Sequence, residues 1–114
     1  MHLYGIANCT TVKKARTWLE EHGYTYDFHD FKKEGVDPAQ LQHWIDAFGW
    51  ETLVNRQGAT WRQLDPATQA GVNTAASALA LMLAKPSVIK RPILELEGQA
   101  KAVGFKPEVY EDLL

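Results

Sequence analysis

Leu3-Tyr4-Gly5-Ile6-Ala7-Asn8-Cys9-Thr10-Thr11-Val12-Lys13-Lys14 is the stretch from which the rest of the chain can be read. It spells a short strand, a turn and the opening of a helix, with the only cysteine of the chain at the junction. Asn8, Thr10 and Thr11 are residue types that cap helix starts. Val12, Ala15, Trp18 and Leu19 then recur at helical spacing, and Gly23 after His22 supplies the stop. Cys9 is therefore expected at a helix N-terminus. Unpaired backbone N–H groups and the positive end of the helix dipole favour an anion there. Such a setting turns a thiol toward its thiolate and makes it a nucleophile.

The charges of this helix run against its own stability. Lys13, Lys14 and Arg16 occupy the first half, and Glu20 and Glu21 stand near the end. The dipole prefers the opposite order. Lys13, four residues after Cys9, shares its face. One reading is a thiolate held by a helix end and nearby cations. The other is a small buried cysteine beside an ordinary solvated basic face.

Composition narrows the class. A chain of 114 residues, 46% hydrophobic and 23% charged, is one globular domain with enough core to need neither disulfides nor metal. A net charge of −2 argues against a general polyanion binder, so no nucleic acid is expected. No apolar run reaches membrane-spanning length, and no signal peptide is read at the N-terminus. With a lone cysteine, these features point to a reducing cytoplasmic setting.

Further along, Tyr26 to Asp30 alternates as a strand, and strand–helix–strand within about 30 residues makes a parallel βαβ unit. Phe31 to Gly35 reads as a polar loop. Asp37-Pro38 and Asp65-Pro66 are helix starts, and Asn73 or Thr74 caps an alanine- and leucine-rich run that Lys85-Pro86 ends. The stretch of about 37–85 is thus a broken helical insertion. Ile93 to Leu96 and Ala100 to Val103 are two strands joined by a turn too short for a crossover, hence antiparallel. Pro107 opens a last helix with Val109, Tyr110 and Leu113 as its inner face. The order β-α-β-α, helical insertion, β-β-α predicts an α/β protein: a four-stranded mixed sheet of thioredoxin-like (glutaredoxin-like) fold. In that fold the reactive cysteine follows the first strand and a cis-proline precedes the third. Cys9 and Pro92 occupy those places.

The motifs support a family resemblance. Asn8-Cys9-Thr10-Thr11 with Lys13, then Arg56, then Ile89-Lys90-Arg91-Pro92-Ile93, then Gly104-Phe105-Lys106-Pro107, resemble the arsenate reductase (ArsC) family over nearly the whole chain. That family includes the Spx regulators and the YffB-type proteins, and the pattern is most similar to the latter. The resemblance implies one ArsC-type domain over 1–114. It implies a nucleophilic Cys9 with Arg56, Arg91 and Lys106 as basic residues of the catalytic site. Asn8, Thr10, Thr11, Lys13 and Pro92 are then expected to bind substrate. The third basic residue is arginine in the arsenate enzymes, so Lys106 departs from them. The second cysteine of the Spx redox switch is replaced by Val12.

With no internal resolving thiol, oxidised Cys9 needs an external one, and glutathione is the expected co-substrate. No bound cofactor is expected. The resulting expectation is a glutathione-dependent thiol reductase with weak or absent arsenate reduction. Two alternatives stand beside it: a Spx-like protein that binds RNA polymerase and catalyses nothing, and a true glutaredoxin-coupled arsenate reductase. His2, His22, His29 and His43 show no ligand spacing, so no metal centre is expected. Trp18, Trp44 and Phe48 read as core, and Trp50 and Trp61 as packing of the insertion.

Overall fold

The computed structural model describes residues 1–114. Its elements run β1 (His2–Gly5), α1 (Thr10–Glu21), β2 (Asp27–Asp30), α2 (Phe31–Glu34), α3 (Pro38–Phe48), α4 (Trp50–Leu53), α5 (Ala59–Arg62), α6 (Pro66–Gly71), α7 (Ala75–Ala84), a 3-10 turn (Pro86–Val88), β3 (Ile93–Leu96), β4 (Gln99–Val103) and α8 (Pro107–Leu113). They form two compact units, Met1–Glu34 with Arg91–Leu114, and Gly35–Lys90. The stretch read from sequence as an insertion lies within the second.

The first unit is a four-stranded sheet in the order β2-β1-β3-β4. β1 pairs parallel with β2 and antiparallel with β3, and β3 pairs antiparallel with β4. This mixed sheet with its helices is the thioredoxin-like arrangement. Period-two alternation gives β1 two faces. Leu3 joins Ala15, Leu19, Leu94, Ala102 and Tyr110 in a buried cluster with the residues of α1 and α8. His2 and Tyr4 take the opposite face, where the Tyr4 ring stacks on His29 at 4.5 Å and its hydroxyl donates to Glu95 at 3.3 Å.

Gly5 sets how closely α1 approaches the sheet. A Cβ at this position would lie 2.8 Å from Cγ2 of Val12, which is fully buried. At the other end of α1, Gly23 (φ 77°) donates to Glu20 O and Tyr24 N to Leu19 O, a left-handed close of the helix.

Two expectations change. Phe31 to Gly35 is not a loop, because Phe31–Glu34 forms one helical turn. Carboxylates supply its ends: Lys32 N donates to Asp30 Oδ1 (2.8 Å), and Glu34 Oε2 accepts from Asp30 N (3.2 Å). Val109 is not on the inner face of α8. It is 37% exposed, while Tyr110 is fully buried and Leu113 packs against the same cluster. Tyr110 and Leu113, three residues apart, share the face turned to the cluster, and Val109 lies about 100° round the helix from Tyr110.

The second unit is helical, as its caps dictate. Asp37 accepts from Gln40 N and Asp65 from Thr68 N, each ahead of a proline at the first helical turn. Thr74 and Ser77 form a reciprocal capping box for α7. Leu41, Trp44, Ile45, Leu53, Ala78 and Met82 are buried, and α3 contacts α4 and α7. One antiparallel bridge, Val54 with Ile89, ties the residue after α4 to the end of this unit's chain.

Two tests follow from this packing. Gly5→Ala should lower stability by about 1–3 kcal/mol in denaturant unfolding, the usual cost of forcing a methyl into a filled core. The hydrogen bond from His29 holds the Glu34 carboxyl below its ordinary value of 4.5. A depressed carboxyl stabilises the fold above its unfolded pKa, and that contribution fades as pH falls through the folded one. Wild type should therefore exceed Glu34→Gln in melting temperature near neutral pH, and the two should converge as pH falls below the ordinary carboxylate range.

Candidate active site

Topology gathers the sequence-predicted residues of the first unit at one end of its sheet. Gly5 is paired with Asp30, Tyr4 with Ile93, and Ile93 with Val103. The Cys9 turn leaves β1 at this end, Arg91-Pro92 enters β3 there, and the chain leaves β4 there toward Lys106. The Arg91-Pro92 peptide is cis, as read from sequence. Pro92 O accepts from Gly104 N at 2.9 Å, and Arg91 Cβ lies 3.7 Å from where a Cβ on Gly5 would stand.

Cys9 is itself the N-cap of α1, with extended backbone (φ −137°, ψ 126°). This corrects the expectation that Asn8 or a threonine caps the helix. Asn8 precedes the cap, and Thr10 and Thr11 are the first two helical residues. The Cys9 carbonyl accepts from Lys13 N at 2.9 Å, so the turn is closed by backbone alone. Its side chain makes no capping bond and is partly exposed. A thiol at this position faces the unpaired N–H groups of the first helical turn. Asn8, Thr10, Thr11 and Lys13 are all exposed around it.

Asp30 is the residue that sequence reasoning missed. It is 8% exposed, and its Oδ2 accepts from Ala7 N at 3.3 Å while Oδ1 caps α2. One carboxylate thus fixes the backbone two residues before the cysteine. The signal was present in Asp30-Phe31-Lys32-Lys33-Glu34, an acid ahead of a basic pair and a second acid, which is a capping pattern.

Lys106 is exposed and is the N-cap residue of α8, its carbonyl accepting from Val109 N and Tyr110 N. The backbone is pinned and the side chain is not. Arg56 belongs to the second unit. There Asn55 N donates to Val88 O (2.8 Å) and Lys90 N to Leu53 O (2.7 Å), and Asn55 Oδ1 accepts from Gln57 N. Arg56 stands on that braced turn with its guanidinium 5.8 Å from the Trp50 ring and 5.6 Å from the Trp61 ring. Both tryptophans, read as simple packing, are within cation–π range of it. Arg56 and Lys90 also line a polar hollow of about 370 Å³ with Thr52, Asn55 and Gln57.

Two further readings shift. Arg16 is not available to the thiol. Its guanidinium lies over Phe28 at 4.1 Å and its Nε donates to the Tyr26 hydroxyl at 3.0 Å. The histidines are not all apart, since His2 Nδ1 lies 2.9 Å from His29 Nε2, whose Nδ1 is 2.9 Å from Glu34. Linear spacing could not reveal a pair 27 residues apart joined by the parallel register of β1 and β2. No group of three or more histidine, cysteine or acidic residues is arranged for a metal ion. No helix is long and apolar enough to cross a membrane.

Asp30→Ala removes the acceptor of both Ala7 N–H and Lys32 N–H. It should cost about 1–3 kcal/mol in denaturant unfolding. It should also raise amide hydrogen exchange at Ala7 while leaving α8 protected.

The model of the ArsC family matches residues 4–113. Among solved structures, a YffB protein is 53% identical, covering 97% of this chain and 96% of its own, with a TM-score of 0.91. An arsenate reductase (ArsC) related protein from Brucella melitensis is 52% identical over 97% of this chain and 91% of its own, with a TM-score of 0.78. An uncharacterized protein of Haemophilus influenzae is 38% identical over 109 residues, 96% of this chain and 94% of that protein. With the cysteine turn, the cis-proline segment and the sheet order already in place, the match along almost its whole length makes this chain a member of the ArsC family.

Proposed function

We propose that this chain is a cytoplasmic thiol reductase that uses glutathione as reductant and acts on disulfide-type substrates. The observation that carries the reading is Cys9: the sole thiol, capping a helix of 12 residues, with a side chain committed to no capping bond. In the first step the Cys9 thiolate attacks the glutathione sulfur of a mixed disulfide RS–SG. The RS⁻ group leaves and takes a proton from solvent, and Cys9 becomes S-glutathionylated. The thiolate of a second glutathione then attacks the glutathione sulfur on Cys9. Oxidised glutathione leaves and the Cys9 thiolate returns. The net change is RS–SG + GSH → RSH + GSSG: one free glutathione is consumed, the other half of the oxidised glutathione comes from the substrate, and no internal thiol is required.

The other residues take roles suited to their chemistry. Backbone amides of Thr10 and Thr11 stabilise the thiolate, and Asn8 and Lys13 border it. Arg91 offers a planar fork to a glutathione carboxylate, and Arg56, in the second unit, is a further guanidinium able to grip a carboxylate. The backbone beside Pro92 receives the peptide as an added strand. Lys106 contributes charge without a fork. An arsenate–thiol adduct needs donors at fixed angles, and one lost donor costs on the order of a hundredfold in rate. Arsenate is therefore a weak or inactive substrate.

Mass spectrometry after diamide and glutathione should find one glutathione per chain, absent in Cys9→Ser. An unmodified protein, or only a Cys9-linked dimer, overturns glutathione as the reductant. Steady-state turnover of arsenate should fall at least about a hundredfold below that of a small glutathione mixed disulfide, with Lys106→Arg narrowing the gap. Efficient arsenate reduction by wild type overturns the substrate assignment. Turnover of neither substrate overturns the enzyme reading and favours a binding protein of the Spx kind.

A further inference from the structure

A groove of about 370 Å³ runs along α1 of the first unit, lined by Thr10, Lys13, Lys14, Thr17, Trp18 and Glu21 from the helix and by Phe105 and Pro107 from the approach to α8. Its volume is that of a small-molecule site. Its position is informative, because Thr10 follows Cys9 in the chain and Phe105 and Pro107 bracket Lys106. The groove therefore begins beside the cysteine turn.

The floor is pre-formed. Trp18 and Phe105 both meet the fully buried Tyr110 edge to face, at 5.6 Å and 4.8 Å between ring centres. Trp18 is further held by stacking on His22 at 3.9 Å. These rings need no rearrangement to receive an apolar body, which reduces the ordering cost of binding.

The charges give the groove a direction. Lys13 and Lys14 are exposed, and neither makes an ion pair or a side-chain hydrogen bond. They stand at the cysteine end. Glu21 stands at the other end, about 16 Å along the helix from Thr10 at 1.5 Å per residue. An anion is attracted near Cys9 and repelled at the far end.

We propose that this groove holds the leaving half of the substrate disulfide, and that this half is a thiol with an aromatic or branched apolar body and a carboxylate close to its sulfur. The carboxylate meets Lys13 and Lys14, and the body lies over Trp18, Phe105 and Pro107. This assignment rests on the thiol-reductase reading. It adds which class of mixed disulfide is used: the bond broken joins glutathione to an anionic, apolar thiol, released as RS⁻ and protonated by solvent. One free glutathione then releases the glutathione left on Cys9 as oxidised glutathione.

The test separates the groove from the thiol chemistry. In ¹H–¹⁵N spectra of Cys9→Ser, titration with 4-phenylbutanoate should shift the amides of Thr10, Lys14, Thr17, Trp18 and Phe105. Butanoate, lacking the ring, and 4-phenylbutylamine, with the opposite charge, should each bind about tenfold more weakly. Lys13→Glu/Lys14→Glu should reverse the preference between acid and amine. Thr17→Trp, which fills an exposed position of the groove, should abolish the shifts while keeping the spectrum folded. No shifts at these residues, or equal binding of acid and amine, overturns the proposal. With wild type, kcat/KM for the glutathione disulfide of 4-phenyl-2-sulfanylbutanoate should exceed that for the cysteamine–glutathione disulfide, and Lys13→Glu/Lys14→Glu should remove the difference. An intact titration without turnover removes the reductase reading and leaves the groove as an anion-binding apolar site. Turnover with an empty titration removes the groove alone.

Discussion

The contact between Gly5 and Val12 constrains everything around the cysteine. With 2.8 Å between a would-be Cβ and a fully buried valine methyl, no larger residue fits while α1 stays where it is. β1 is also the strand on which the registers of β2 and β3 are set. A shift of α1 away from Gly5 would move the turn Ile6–Cys9 away from the ends of its neighbours. The cysteine turn, the cis-proline segment and the carboxylate of Asp30 converge because they all key on the last residues of this one strand.

Electrostatics then refine what packing has placed. The basic half of α1 seemed a uniform field when read along the sequence. In space it divides: Arg16 turns onto Phe28 and Tyr26, and Glu20 accepts from the Tyr26 hydroxyl at 3.0 Å. That network ties the helix to Tyr26 and to Phe28 of β2 and gives one cation and one acid partners of their own. Lys13, Lys14 and Glu21 remain, and the groove owes its polarity to them. The charge order that opposes the helix dipole costs α1 some stability. A burial of Val12, Ala15 and Leu19 to 0% exposure offsets that cost, so function can set the surface residues.

Most of the fold was legible in the sequence because local signals and tertiary structure agree. The βαβ spacing, the two Asp-Pro caps and the glycine after His22 each specify one conformation, and each element stands within a residue or two of its expected place. The failures share a cause. α2 exists because Asp30 and Glu34 cap a single turn, which no hydrophobic period reveals. Val109 was misplaced because a short apolar cluster does not say which member faces in. His2 with His29, and Arg56 between Trp50 and Trp61, depend on register and loop closure rather than spacing. At the site, Cys9 and Pro92 could be read from their places beside strands. Asp30 was hidden because its work is done on a backbone N–H 23 residues away.

Arg56 and Lys106, each within its own unit, differ in how firmly the chain holds their charge. Arg56 stands on a turn fastened by three backbone-directed hydrogen bonds, with two indoles at 5.8 Å and 5.6 Å from its guanidinium. Lys106 has a fixed backbone at the start of α8, but four methylenes separate that anchor from its charge, and the side chain is exposed. A small tetrahedral oxyanion requires every donor at a set angle, and a freely swinging ammonium loses entropy to meet it. A carboxylate on a flexible tripeptide imposes no such angle, because ligand and lysine can adjust to each other. An arginine at position 106 would fix geometry at the expense of reach. A lysine there does the reverse: its charge reaches further and is less fixed in direction.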